Sequence, residues 1–198
     1  MILTDRLQKA IDTAALLHRE HTRIGKKKIP YISHLIHVLA IVDRYTDEED
    51  VLIAALLHDT IEDIPEYTKE MLERDFGTAV KDIVLSLSED REFVETLSPR
   101  DKWIQAKKSY LAKLAQASKQ SHLISAADKI HNMSCIIDGY AEKDDVLMLR
   151  FEGAALMGQV WFTKEVYNII SPTIPKDMSE TYMSLHHKLT ALLPTDTK

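Results

Sequence analysis

A seven-residue run from Val51 to Leu57, with the sequence VLIAALL, constrains the fold of this chain more than any other segment. The run is apolar all round and continues into HDTIED without a turn residue. A helix that is hydrophobic on every side has to be surrounded by other elements. A buried strand is the weaker alternative, because alanine and leucine favour helix. We therefore predict a central buried helix that begins near Asp47, where acidic residues suit a helix N-terminus.

Further helices are predicted on both sides of this segment. Thr4 is suited to cap a first helix and Ser33 a second, with a loop over 21–32 between them. The other predicted helices cover 68–77, 79–87 with Thr78 as cap, 99–117, 120–138, 144–169 and 176–193, and 88–98 is predicted to be irregular. Five glycines and six prolines are few for this length, which disfavours turn-rich sandwiches and barrels. We expect one all-α domain of about eight to ten helices over residues 1–198.

Composition restricts the partners of the protein and its compartment. A net charge of -6 argues against a nucleic-acid partner, because such domains are usually basic. The lone Cys135 excludes an intramolecular disulfide and a thiolate metal cluster, and fits a reducing compartment. The N-terminus lacks the apolar core of a secretory signal, and no apolar stretch is long enough to span a membrane. We expect a cytoplasmic protein, whose last helices either pack beneath the core or form a homo-oligomer face.

Histidine and carboxylate residues recur at the ends of the predicted apolar segments. His34 follows a PYI turn, His58-Asp59 ends the central apolar run, and Asp128 lies in the small and apolar stretch ISAADKIHNM. Taken alone, a His-Asp dipeptide is more often a hydrogen-bonded pair at the surface than a metal site. Asp128 alone is as well explained by an ion pair with Lys129 as by a role as metal ligand. Together, two imidazoles and two carboxylates can complete a metal site, and mixed nitrogen and oxygen ligands suit Mn, Fe, Co, Ni or Zn better than Ca.

Two more acids, Glu62 and Asp63, follow His58-Asp59 at helical spacing. If one helix continues through them, all four side chains project to the same side. Three acids clustered in this way repel one another unless a cation or hydrogen-bond donors compensate.

The order His34, His58-Asp59, Asp128 resembles the HD superfamily of metal-dependent phosphohydrolases. Within it, the chain is similar to the hydrolase domain of the Rel/SpoT family and to stand-alone small alarmone hydrolases. The sequence motifs that match are PYISH at 30–34, AALLHDTIED at 54–63, FG at 76–77 and DKIHNM at 128–133. The resemblance covers about residues 18–138 and implies an HD-domain helical bundle, with 139–198 as a helical C-terminal extension.

The resemblance also implies a reaction. It makes His34, His58, Asp59 and Asp128 the ligands of one divalent metal, with Mn²⁺ the expected ion. Glu62 and Asp63 would orient and deprotonate the attacking water. The substrate would be an alarmone nucleotide, (p)ppGpp or (p)ppApp, and cleavage of its 3′-diphosphate would release pyrophosphate.

The resemblance places an arginine, a lysine and an asparagine around the nucleotide. Arg23 and Asn132 match two of these positions. The lysine position is matched only approximately, because Ile24 follows the arginine and the loop is longer; one of Lys26, Lys27 or Lys28 would supply the charge, or the run is a solvated loop face. Leu35 and Cys135 also depart from the usual pattern, and leave the choice between guanine and adenine open.

Two other functions stay open. A general HD phosphatase acting on nucleoside monophosphates, or on a phosphorylated dinucleotide such as NADPH, would use the same metal site. A non-catalytic HD regulatory protein is the alternative of another class, and the intact Glu62-Asp63 pair argues against it. The histidines that are not ligand candidates, including His18, His21 and His131, are expected to be structural, and His186 and His187 to lie at the surface.

Overall fold

The computed structural model describes residues 2–89 and 97–194, which form eleven α-helices and one isolated antiparallel bridge between Thr22 and Pro30. In chain order the helices are α1 (Asp5–Leu17), α2 (Ile32–Val42), α3 (Glu49–Leu57), α4 (Thr60–Asp63), α5 (Lys69–Phe76), α6 (Thr78–Leu87), α7 (Pro99–Leu114), α8 (Lys119–Ala141), α9 (Asp145–Arg150), α10 (Gly153–Ile170) and α11 (Lys176–Ala191). The all-α prediction is confirmed. Most of the segment predicted as irregular over 88–98 lies outside the described residues.

Helix α3 is the centre of the bundle, as its apolar sequence predicts. Every residue from Val51 to Leu57 is buried. Helices α1, α2, α6 and α8 pack around it. Because α3 ends between the helices that flank it, the polar residues that follow it are held next to α2 and α8.

We expect Leu56→Ala to lower the free energy of unfolding by about 2–5 kcal/mol, because it removes a fully buried side chain and leaves a cavity. Urea denaturation measures the change. Leu16→Ala is the matched control, since Leu16 is 63% exposed and its loss should change stability by no more than about 0.5 kcal/mol. Equal effects of the two variants would contradict the central position of α3.

Some predicted helix ends are wrong. Thr4 does cap α1, with its side chain accepting a hydrogen bond from the Leu7 amide. Helix α2, however, begins at Ile32 after Tyr31, and Ser33 is inside it, because the turn at Pro30 already starts the hydrogen bonding. Likewise Thr78 is the first residue of α6 and does not cap it.

The single helix predicted over 144–169 is divided into α9 and α10. Asp144 caps α9 by accepting a hydrogen bond from the Leu147 amide. The chain turns at Phe151 and Glu152, and Gly153 has a φ of 52°, which a continuous right-handed helix excludes. The division, together with the separate α4, raises the number of described helices above the eight to ten expected.

Helix α8, of 23 residues, is the longest described helix and contacts α2, α3, α6, α9, α10 and α11. Helices α10 and α11 pack against it, so the C-terminal helices lie on the bundle that carries the motifs. His186 on α11 is buried and hydrogen-bonds to the Thr163 hydroxyl at 3.1 Å, so the prediction that it lies at the surface is wrong. Within the two described ranges, no helix combines the length and apolar character needed to cross a membrane.

Candidate metal centre

The four predicted ligands converge at one point in the bundle. His34 comes from the first turn of α2, His58 and Asp59 follow α3, and Asp128 lies in the middle of α8. The imidazole Nε2 atoms lie 3.2–3.8 Å from carboxylate oxygens of the two aspartates. Ligand atoms bound at about 2.0–2.2 Å to one ion are separated by roughly 3.0–3.6 Å. The spacing therefore fits a single divalent ion.

Two buried nitrogens in this cluster lack a hydrogen-bond partner among the described residues. They are Nε2 of His34 and Nε2 of His58, in side chains that are 1% and 4% exposed. A buried polar atom left unpaired is costly. Three of the residues, His34, His58 and Asp59, offer ligand atoms within 4.8 Å of one another. The residues present therefore fit a bound metal, which would satisfy both nitrogens.

Neighbouring groups orient these ligands. The Ala55 carbonyl lies 2.9 Å from His58 Nδ1, so the Nδ1 proton is donated there and Nε2 is left as the electron-pair donor. His34 Nδ1 lies 2.8 Å from Nδ1 of His131, and burial lowers the pKa of His131 to about 3, so this ring is neutral and can accept. The Tyr31 hydroxyl donates to Asp59 Oδ2 at 2.6 Å. His131 thus has a structural role: its ring is the hydrogen-bond partner of His34, which is a ligand candidate.

The electrostatics of the cluster favour a cation. Burial opposes a charge on Asp59 and Asp128, but the charged groups around them outweigh it and hold the pKa of both carboxyls well below the usual range. These groups are the imidazoles of His58 and His34 and, for Asp128, the Lys129 ammonium. Burial also opposes a charge on His58, yet the two carboxylates raise its pKa well above 6.5. The carboxylates are thus ionised, and positive charge is stabilised between them, carried by a proton on His58 Nε2 or by a metal ion in place of that proton.

Arg23 and Asn132 are brought to this centre. The Asn132 side-chain amide donates to Asp128 Oδ1 at 2.5 Å, and the Arg23 guanidinium donates to Asn132 Oδ1 at 2.6 Å. The guanidinium also lies over the Tyr31 ring, 5.5 Å from its centroid. A chain of hydrogen bonds therefore connects the basic loop after α1 to a metal-ligand candidate on α8.

The three loop lysines are placed differently. Lys26 donates its backbone N–H to Asp144 at 2.8 Å and pairs its ammonium with Asp145 at 3.1 Å. Lys27 pairs with Glu142 at 2.8 Å. Lys27 and Lys28 line a cavity beside the metal centre, and Lys26 does not line it. The loop is therefore held by acids near the C-terminal end of α8, and two of its lysines already have acidic partners.

Glu62 and Asp63 do not project to the same place. Helix α3 ends at Leu57, His58 and Asp59 form a turn, and α4 starts at Thr60, so the prediction of one continuous helix face is wrong. Glu62 lines a cavity of about 150 Å³ together with three of the ligand candidates, His58, Asp59 and Asp128. Asp63 lines the neighbouring cavity of about 660 Å³. The acid pair is thus divided between two cavities.

Two lysines that sequence reasoning missed lie where the cavities meet. Lys107 and Lys129 line both cavities, as do Tyr31 and Asn132. The Lys129 ammonium contacts Asp128 Oδ2 at 2.5 Å and lies 5.3 Å from the centroid of the Phe162 ring. The Lys107 ammonium lies 4.6 Å from the same centroid. Lys129 stands inside the DKIHNM motif, where the sequence indicates only a partner of Asp128. Lys107 belongs to no motif.

The chain is similar to known proteins in sequence and in fold. A family model described as HD domain matches residues 10–148. The chain is 29% identical over 143 residues to the guanosine-3′,5′-bis(diphosphate) 3′-pyrophosphohydrolase MESH1 of Homo sapiens, covering 69% of this chain and 75% of that protein. It is 35% identical over 131 residues to the bifunctional (p)ppGpp synthase/hydrolase SpoT of Escherichia coli, covering 65% of this chain and 18% of SpoT. The solved structure of a metazoan SpoT orthologue that hydrolyses ppGpp matches with a TM-score of 0.79 and 22% identity, over 95% of this chain and 97% of that one.

Proposed function

The chain belongs to the HD-domain family, and from this premise we propose that it hydrolyses the 3′-diphosphate of alarmone nucleotides, (p)ppGpp or (p)ppApp, and releases pyrophosphate. The observation that carries the proposal is the convergence of two unpaired buried imidazole nitrogens and two ionised carboxylates beside a cavity of about 660 Å³. A cavity of this size is in the range of small-molecule sites, about 300–1,000 Å³. The names of the relatives, which are (p)ppGpp hydrolases, support the same reaction.

His34, His58, Asp59 and Asp128 would hold one divalent metal, and we propose Mn²⁺. When bound, such an ion polarises a phosphoryl oxygen and lowers the pKa of water. The chain contributes a fixed, buried ligand set, because the Ala55 carbonyl and the Tyr31 hydroxyl orient His58 and Asp59.

Glu62 is the proposed proton acceptor. Its side chain lines the same small cavity as His58, Asp59 and Asp128, so a water molecule there is within reach of both the ligands and this acid. The Glu89 amide donates to Glu62 Oε2 at 3.3 Å, which helps to orient the carboxylate. Asp63, on the side of the larger cavity, is proposed to orient the substrate and the attacking water from there.

Lys107, Lys129 and Arg23 are the proposed ligands of the diphosphate. The two lysines lie at the junction of the cavities, and Arg23 lines the larger one. Charge-assisted hydrogen bonds from such groups fit phosphate oxygens. The nucleoside would then occupy the larger cavity, with Lys27 and Lys28 at its wall and the diphosphate directed to the metal centre.

The test is to load the purified chain with Mn²⁺ and to measure pyrophosphate and orthophosphate released from (p)ppGpp, (p)ppApp, nucleoside 5′-monophosphates and NADPH. We expect pyrophosphate from the alarmones alone. Orthophosphate from the monophosphates or from NADPH, without pyrophosphate from an alarmone, would support the general phosphatase. Metal binding without turnover of any substrate would support the regulatory alternative.

We expect Arg23→Ala to lower kcat/KM by about 10- to 100-fold, because a hydrogen bond to a charged group contributes about 1.5–3 kcal/mol. Steady-state kinetics on the best substrate measure the change. Arg19→Ala is the matched control, because the Arg19 side chain is 68% exposed and pairs only with its neighbour Glu20 among the described ion pairs. An unchanged kcat/KM in Arg23→Ala would remove Arg23 from the substrate site.

A further inference from the structure

A second group of potential metal ligands lies beside the first. His18 is the C-cap residue of α1, His21 lies three residues further on, and Asp63 is the last residue of α4. Each offers a ligand atom within 4.8 Å of the others. None of the three belongs to the four-ligand centre, so this cluster has no part in the proposed binding of Mn²⁺.

The geometry of the two imidazoles suits metal binding. Nδ1 of His18 lies 3.2 Å from Nδ1 of His21, which is the separation of two ligands on one ion. The His18 side chain is buried and its Nε2 has no hydrogen-bond partner among the described residues. Neither nitrogen of the His18 ring therefore bonds to a carbonyl or carboxylate, unlike His58, whose Nδ1 bonds to the Ala55 carbonyl. Burial also lowers the pKa of His18 to about 4, so the ring is neutral, as a ligand has to be.

The cluster is separate from the first centre but adjacent to it. The Tyr31 ring stands between the two sites: it stacks on the His18 ring with centroids 5.0 Å apart, and the His34 ring lies 5.4 Å from it. His21 and Asp63 are partly exposed, and Asp63 lines the larger cavity, which gives an ion a route from solvent. An ion here would contact Asp63 without sharing a ligand with the first centre.

We propose that His18, His21 and Asp63 form a second, inhibitory metal site. Two imidazoles and one carboxylate, with a position left for water, suit Zn²⁺ better than Mn²⁺. Zn²⁺ bound here engages the Asp63 carboxylate and withdraws it from the substrate cavity. The existence of the site is independent of the proposed hydrolysis, whereas its inhibitory effect rests on that proposed function.

The first experiment counts the Zn²⁺ ions bound per chain, by titration of the metal-free protein followed by elemental analysis. We expect two ions for the unmodified chain, one for His21→Asn and one for His58→Asn. His187→Asn is the matched control, since His187 is exposed on α11, and should keep two. One ion in the unmodified chain, or two in His21→Asn, would overturn the proposal and leave His18 and His21 as a hydrogen-bonded structural pair.

The second experiment adds Zn²⁺ to the Mn²⁺-loaded enzyme. We expect His21→Asn to keep the activity of the unmodified chain and to need at least about tenfold more Zn²⁺ for half-inhibition, because even outer-shell changes cost 10- to 100-fold in metal affinity. Equal inhibition of both proteins would mean that Zn²⁺ acts at the four-ligand centre, and would overturn the inhibitory role. If no nucleotide is hydrolysed, the proposed function fails, while the count of bound ions still tests the site. His21→Gln, checked by thermal melting, replaces His21→Asn if that variant does not fold.

Discussion

Asp59→Asn should abolish both metal binding and hydrolysis, with turnover at least about 10³-fold lower, since several kcal/mol of transition-state stabilisation are lost with the metal. Oδ2 of Asp59 lies 3.2 Å from Nε2 of His58 and 3.5 Å from Nε2 of His34, and it accepts the Tyr31 hydroxyl. Asparagine keeps the shape of the side chain and an acceptor for Tyr31, but it removes the negative charge that a divalent ion requires. The measurements are metal content per chain and kcat.

Asp12→Asn is the matched control for this variant, because Asp12 is an exposed aspartate on α1, and should bind metal and turn over normally. Thermal melting establishes that Asp59→Asn is folded. A folded Asp59→Asn protein that retains one metal ion and full activity would refute the assignment of the centre.

Glu62→Gln should keep the metal and lose turnover by about 10²–10⁴-fold, the usual contribution of a general base. The side chain lines the cavity shared by three ligand candidates without being one of the residues that meet the imidazole nitrogens. Glutamine keeps the size and an acceptor for the Glu89 amide, but it cannot take a proton at neutral pH. The two quantities to compare are the dissociation constant of Mn²⁺ and kcat.

Glu66→Gln provides the control for Glu62→Gln, because Glu66 is an exposed glutamate four residues further on. If Glu62→Gln loses metal and activity together, Glu62 is a ligand or supports the ligands, and another group must accept the proton. Asp59→Asn, in contrast, should lose metal and activity together. Comparing the two variants therefore distinguishes a metal ligand from a proton acceptor at positions only three residues apart.

The sequence predicts that the four ligand candidates are carried into the bundle, because the apolar segments around them are recognised from local pattern. His58-Asp59 follows directly after an apolar helix, and Asp128 interrupts another apolar stretch, so burial of the flanking residues carries these side chains into the bundle. The central position of α3 follows from the same argument. The burial of each segment depends on residues within a few turns of one another, and periodicity detects it, whereas the choice of these four residues as one ligand set comes from the resemblance to the HD superfamily.

What the sequence does not predict depends on contacts between distant segments. Lys26 meets Asp144 and Asp145, more than a hundred residues away, so the run of lysines gives no indication that its charges are partly neutralised. Glu62 and Asp63 are neighbours in α4, so their side chains leave the helix in different directions, and the cavity that each lines depends on how α4 is set after the break at His58 and Asp59, which has no glycine or proline to mark it. Lys107 lies at the cavity because α7 packs on α6 and α10, contacts that form only in the folded chain.

The contacts of α10 and α11 have a consequence for the choice of expression fragments. Gln159, Phe162 and Thr163 of α10, and Leu189 of α11, line the larger cavity, although all four lie beyond the matched family range of 10–148. A fragment trimmed to that range would retain every motif residue and would still lack one wall of the cavity. For this chain, the unit that forms the proposed nucleotide cavity is therefore longer than the unit that sequence similarity delimits.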